Sequence, residues 1–151
     1  MDIVLATEKD FDAVKRITQT TIKAIYPKYY PTGAVDFFIK HHSDENISRD
    51  IADSKVYLMR IDSKDIGTVT VNGNEIDRLF VLPDFQSSGY GKVLIDFAEQ
   101  MIKQKCKEII LAASLPAKQI YRRYGYVETE YNIVKTENGD FLCFDMMKKE
   151  I

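Results

Sequence analysis

No stretch of this chain stays apolar for the roughly 20 residues that a membrane-spanning helix needs. The apolar start Ile3-Val4-Leu5 is short and soon meets Glu8, Lys9 and Asp10, so no secretory signal is expected and the protein is expected to be cytoplasmic. Cysteine is scarce. Cys106 and Cys143 lie far apart and show no metal-ligand spacing, which argues against a disulfide framework or a zinc module and favours reduced thiols. A dominant charge is also missing: 21 Lys and Arg stand against 23 Asp and Glu, for a net charge of −2. A basic footprint for nucleic acid or an anionic membrane is therefore not expected. There is no repeat, linker or low-complexity segment. What remains is a 151-residue chain, 45% hydrophobic and 29% charged, suited to one domain around one core.

Periodicity gives the order of elements. Ile3–Ala6 reads as a strand. Thr7 and Asp10 form a capping-box pair ahead of a helix over residues 8–25, whose apolar face runs through Phe11, Val14, Ile17 and Ile22 until Pro27 stops it. An aromatic loop follows, with Tyr26, Tyr29 and Tyr30. Thr32 caps a second helix, and a third short helix covers Asp44–Asp53. Val56–Ile61, Ile66–Val71 and Glu75–Leu82 read as an antiparallel meander, with Asn72-Gly73-Asn74 as a hairpin turn. A helix over residues 91–104 leads to a fifth strand, Glu108–Ala113, apolar enough to be buried on both faces. A helix over Ala117–Tyr124 ends at Gly125, and strands at Tyr126–Thr136 and Phe141–Met147 flank the Asn138-Gly139 turn. Lys148-Lys149-Glu150 reads as a solvated end. The fourth and fifth strands are joined by a right-handed helical crossover and so run parallel, while the rest of the sheet is expected to be a meander. The fold class is mixed α/β, with a mostly antiparallel sheet and helices on both faces.

The densest signal is the run Asp77 to Ile95. Leu79–Leu82 is an apolar strand, Pro83 ends it, and Gly89 and Gly91 lead into a helix. Free amides at a helix start attract an anion. Two nucleotide motifs fail at named positions: Val93 follows Lys92 where a Walker loop needs Ser or Thr, and Leu94 stands where the dinucleotide fingerprint needs its third glycine. The pattern that remains is Val81, Pro83, Gln86, Gly89 and Gly91 in V-x-P-x-x-Q-x-x-G-x-G. It resembles the acetyl-CoA loop of the GNAT superfamily of N-acetyltransferases. A second run, Ala117 to Tyr126, is similar to that family's A-x-x-x-Y-x-x-x-G-F, with Ala117, Tyr121 and Gly125 matching and Tyr126 in place of Phe. The order of elements resembles the family's across the chain.

The resemblance implies acetyl transfer from acetyl-CoA to a primary amine of a small molecule or peptide. Phe80, Val81 and Leu82 would pair with the pantetheine arm. Gln86, Ser87, Ser88, Gly89, Tyr90, Gly91 and Lys92 would wrap the pyrophosphate, through amides rather than a metal. Many members carry Asn after the fifth strand; here Ser114 stands there, with a shorter reach. Tyr121 is implied as the proton donor to the leaving thiolate, against the plainer reading of a packed aromatic. Glu75, at the start of the fourth strand, is the candidate base, directly or through water, against a solvated strand edge. Asp77 shares its face by the two-residue strand period.

Other features are weaker. Tyr26, Tyr29, Tyr30 and Phe37 would wall an apolar or cationic acceptor, or else simply pack the loop. His41 and His42 are adjacent on a helix, point in different directions and read as a partly exposed pair, not as metal ligands. Two other functions fit the same motifs: a non-catalytic acyl-CoA-binding regulator and an acetyltransferase of protein amines. GNAT-like domains commonly dimerise, so a homodimer is a further expectation.

Overall fold

The computed structural model describes residues 1–151. Strand β1 (Asp2–Leu5) leads into helix α1 (Phe11–Ile25), which begins where the Asp10 carboxylate accepts the Thr7 backbone N–H at 2.8 Å. The buried side of α1 carries Val14, Ile17, Thr18, Thr21 and Ile22, an apolar stripe at helical spacing. Pro27 lies in a 3-10 turn that closes the helix. Helix α2 (Thr32–His41) follows, then α3 (Asp44–Ala52), capped by the Ser43 side chain accepting from the Asn46 N–H. Strands β2 (Val56–Ile61), β3 (Lys64–Asn72) and β4 (Glu75–Val81) pair antiparallel in sequence order. Helix α4 (Tyr90–Lys103) crosses over to β5 (Glu108–Ala113), which is parallel to β4. Helix α5 (Leu115–Arg123) and strands β6 (Val127–Lys135) and β7 (Phe141–Glu150) complete the chain.

The seven strands lie in the order β1-β2-β3-β4-β5-β7-β6. The first half is the expected meander and the second half is not. The chain passes from β5 through α5 to the sheet edge, lays down β6, and returns by a hairpin so that β7 fits between β5 and β6. The polar β6, with Glu128, Thr129, Glu130 and Asn132, takes the solvated edge, and the more apolar β7 takes the interior. β7 also absorbs Lys148, Lys149 and Glu150, the expected solvated end. The Lys149 Nζ lies 2.9 Å from each oxygen of Glu99.

Two apolar layers sandwich the sheet. One is built by α4 and α5 and includes Leu94, Ala98 and Tyr121. The other is built by α1, α2 and α3 and includes Ile17, Ala34 and Ile47. The expectation that β5 is covered on both faces is corrected at Ala112. This residue is exposed, because α1 packs over β3 and β4 and leaves that face of β5 open.

β4 breaks the two-residue alternation. The register with β3 shifts between Thr68↔Phe80 and Thr70↔Asp77, so one β3 residue faces two on β4. Arg78 sits in this bulge with φ at +45°. Strict alternation would put Ile76 and Phe80 on one face. With the bulge, Ile76 joins the α4 layer and Phe80 joins the α1–α3 layer. β4 and β5 pair only through Glu75↔Ile110, and beyond that point they separate.

Candidate active site

The gap between β4 and β5 opens into a cavity of about 460 Å³. One wall is the loop that follows β4. Gln86 closes this loop by donating from Nε2 to the Val81 carbonyl at 2.9 Å, and Thr21 Oγ1 reaches the same carbonyl at 3.3 Å. Ser87 and Gly89 both adopt left-handed φ, 63° and 87°, and turn the chain into α4. Gly89 caps that helix without a side chain, so the first-turn N–H groups of α4 have no capping partner. A Cβ added at Gly89 or Gly91 would meet nothing within 4 Å, so open space lies over these amides. Lys92, Lys28 and Arg123 add positive charge to the lining. Unsatisfied helix-start amides, cations and adjoining apolar walls suit a ligand with a polyphosphate end and an extended, less polar arm.

Of the residues assigned to the cofactor, Phe80, Val81, Gln86, Ser87, Gly89, Gly91, Lys92 and Ser114 line the cavity. Leu82, Ser88 and Tyr90 do not. Leu82 packs into the α1–α3 layer, Tyr90 packs against the α4 layer, and Ser88 is exposed on the loop. Lys92 also pairs with Asp96 one turn on, at 2.5 Å.

Tyr121 lines the opposite wall and is only 7% exposed, stacked edge to face on Tyr126 with ring centroids 5.7 Å apart. Burial pushes its phenol well above the usual tyrosine range, helped by Tyr26 and Asp77. The group therefore stays protonated at any physiological pH, as a proton donor must before it acts. Glu75 and Asp77 stand outside the cavity lining. Burial raises the Glu75 carboxyl above its ordinary range, the like charge of Asp77 raises it further, and His41 partly offsets both. Asp77 accepts the Arg78 backbone N–H through Oδ1 at 2.8 Å, and its charge is felt at both Tyr26 and Tyr121.

The aromatic segment divides. Tyr26 and Tyr29 line the cavity, and Tyr29 is 51% exposed there. Tyr26 is buried, with its hydroxyl 3.2 Å from Ser114 Oγ. Tyr30 is buried away from the cavity as a tie between segments: its hydroxyl donates to the Cys143 carbonyl and accepts the Leu115 N–H. Phe37 lies outside as well, stacked on His41 at 6.3 Å.

The histidines differ from the expected partly exposed pair. His41 is exposed, but His42 is 5% exposed and its Nδ1 accepts from Arg78 Nε at 3.3 Å. Burial, followed by the neighbouring guanidinium, holds His42 down to about 3. His41, His42 and Asp77 bring candidate ligand atoms within 4.8 Å of one another. A neutral imidazole that accepts at Nδ1 carries its proton on Nε2, which leaves His42 no free lone pair for a cation.

Sequence reasoning missed Arg78, Thr21, Lys28 and Arg123. Arg78 had one visible signal, a charge set midway between Ile76 and Phe80 in an apolar strand. The other three come together only through the fold.

Comparison with known proteins follows the same lines. The acetyltransferase (GNAT) domain family matches residues 25–151. The uncharacterized N-acetyltransferase YafP of Escherichia coli is 28% identical over 99 residues. That match covers 66% of this chain and 63% of YafP, so the chain spans less than two thirds of that relative. Among solved structures, a GCN5-related N-acetyltransferase from Rhodopseudomonas palustris superposes with a TM-score of 0.90 at 20% identity, covering 99% of this chain and 95% of that one. The PaiA N-acetyltransferase of Thermoplasma acidophilum, crystallised with coenzyme A, gives 0.72 at 19% identity over 99% and 98% of the two chains.

Proposed function

The chain belongs to the GNAT acetyltransferase family, and from that premise we propose that it moves an acetyl group directly from acetyl-CoA to a primary amine of a small molecule or peptide. The observation that carries this reading is one cavity lined both by the uncapped start of α4 and by the buried Tyr121. The solved relative with coenzyme A supports the choice of ligand.

When bound, acetyl-CoA supplies the acetyl group as an activated thioester. The α4 first-turn amides, with Lys92, Lys28 and Arg123, hold its phosphates. The backbone of Leu79 to Val81, which has no β5 partner, offers hydrogen bonds to the arm and to the carbonyl that must be polarised. Glu75, which stands outside the cavity lining, takes a proton from the acceptor ammonium through water. Its raised affinity for protons brings it closer to the operating pH than an ordinary carboxylate. A nitrogen–carbon bond would then form and the carbon–sulfur bond break; Tyr121 would give its proton to the departing sulfur, and the second proton shed by the nitrogen would return to the Tyr121 oxygen, directly or through water. Tyr26 and Tyr29 line the region that the acceptor approaches.

The test is thiol release from acetyl-CoA across a panel of amines, with Tyr121→Phe alongside. Turnover with at least one amine, lowered about 100-fold or more in the variant, is expected for a lost general acid. Turnover indifferent to the substitution removes Tyr121 from the donor role. Coenzyme A binding without turnover on any amine favours an acyl-CoA-binding regulator.

A further inference from the structure

Arg78 takes no part in the proton transfers above, yet β4 is built around it. Its φ of +45° lies in a region that side chains with a Cβ rarely adopt. Its side chain is 2% exposed and bonds to three different elements. Nη1 donates to Thr70 Oγ1 in β3 at 3.1 Å, Nη2 to Asp50 in α3 at 2.8 Å, and Nε to His42, just past α2, at 3.3 Å. Its backbone N–H donates to the side chain of Asp77. A strained backbone persists only where its surroundings over-determine it. Here the guanidinium fork supplies that constraint, serving three directions at once as a lysine cannot.

The bulge has two consequences for the site. It carries Leu79 to the face of the α4 layer and Phe80 to the opposite face. It also lies on the part of β4 that has left β5, at the mouth of the gap. We propose that Arg78 is a positioning residue for acetyl transfer: its buried fork holds the bulge in the left-handed form, and the bulge sets where the Leu79–Val81 backbone meets the cavity. This rests on the acetyltransferase reading. It adds that α2 and α3 are tied, through His42 and Asp50, to the strand that faces the thioester.

The experiment compares Arg78→Lys, Arg78→Ala and Arg78→Gly in the thiol-release assay. Lysine and alanine are expected to lower kcat tenfold or more, with KM for acetyl-CoA within threefold of wild type. Glycine adopts the left-handed form unaided, so Arg78→Gly is expected to exceed Arg78→Ala at least threefold in kcat, although both lose the same bonds. A merely structural arginine gives no such recovery. A folded Arg78→Lys with kcat within twofold of wild type overturns the proposal, as does an Arg78→Gly no better than Arg78→Ala. Should these variants fail to fold, Thr70→Val removes one of the three bonds: kcat about threefold lower supports the proposal, and unchanged kcat overturns it. If wild type turns over no amine, the acetyltransferase reading fails separately. The bulge is then read from the Leu79 and Phe80 amide resonances on titration with coenzyme A. Shifts in wild type that Arg78→Ala or Thr70→Val loses support the proposal, and equal shifts overturn it.

Discussion

The Tyr30 hydroxyl accepts the backbone N–H of Leu115 at 2.8 Å, bonding the loop ahead of α2 to the first residue of α5. The same hydroxyl donates to the Cys143 carbonyl in β7 at 3.0 Å. Tyr30→Phe would take this partner from both backbone groups in a partly buried setting. A lost partner of this kind costs about 1–3 kcal/mol. Urea titration is expected to show unfolding free energy lowered by that amount with an unchanged slope. A change below about 0.5 kcal/mol would mean that water replaces the phenol.

Gly91 opposes stability to binding. It lies in the first turn of α4, and a Cβ there would meet nothing. Gly91→Ala is therefore expected to stabilise the ligand-free protein, by up to about 1 kcal/mol. The added methyl would stand in the space where the phosphates are proposed to lie. Calorimetry is expected to show coenzyme A binding weakened about tenfold or more, while the thermal midpoint rises. Unweakened binding would place the phosphates elsewhere.

Glu75 predicts a pH profile. As the base it must be ionised, so kcat/KM rises with pH through a value above the ordinary carboxylate range. Asp77→Asn removes one of the two causes of that shift and is expected to move the acidic limb to lower pH. Glu75→Gln is expected to abolish the limb and lower kcat about tenfold or more. Stability runs the other way. A carboxyl with a raised folded pKa favours the folded state at low pH, and that contribution is lost as pH rises through the folded value. Glu75→Gln is therefore expected to be more stable than wild type at pH 7 and equal to it below about pH 4.

His42 predicts acid sensitivity. Its folded form is held down to about 3, whereas an unfolded histidine protonates near its ordinary 6.5. Between those values the unfolded chain binds one more proton, so stability falls as pH falls. The slope approaches 1.4 kcal/mol per pH unit well below the unfolded value. His42→Asn keeps an acceptor for Arg78 but does not titrate. Chemical denaturation at pH 6, 5 and 4 is expected to show a shallower decline in the variant. Parallel declines would mean that wild-type His42 protonates in place.

How much of this was readable beforehand depends on how local each feature is. Val81, Pro83, Gln86, Gly89 and Gly91 form their loop within eleven residues, and the bend needs glycine at Gly89 for its left-handed φ. Tyr121 and Gly125 likewise sit at fixed offsets within one short helix and its end. The β4 bulge left almost no trace, because arginine is not a residue that the left-handed region favours. Its cause lies in Thr70, across the β3–β4 hairpin, and in His42 and Asp50, which are 36 and 28 residues away. The role of Tyr30 was hidden for the same reason: its partners are 85 and 113 residues away. The position of β7 inside β6 is a matter of strand order in the sheet, and alternation within one strand does not report it.

That strand order bears on how the protein is made. β7 leaves the ribosome after β6, yet β5 pairs with β7 and not with β6. Until β7 arrives, the nascent chain carries an unpaired β5 edge and a β6 strand with no sheet to join. The wall that carries Tyr121 also lacks Met147, which shares its apolar layer. The loop after β4 that is proposed to hold the phosphates is translated long before this, but the sheet around the cavity closes only with the β6–β7 hairpin. A ribosome stalled before residue 141 would thus hold a molecule with the loop after β4 present and its sheet open at β5.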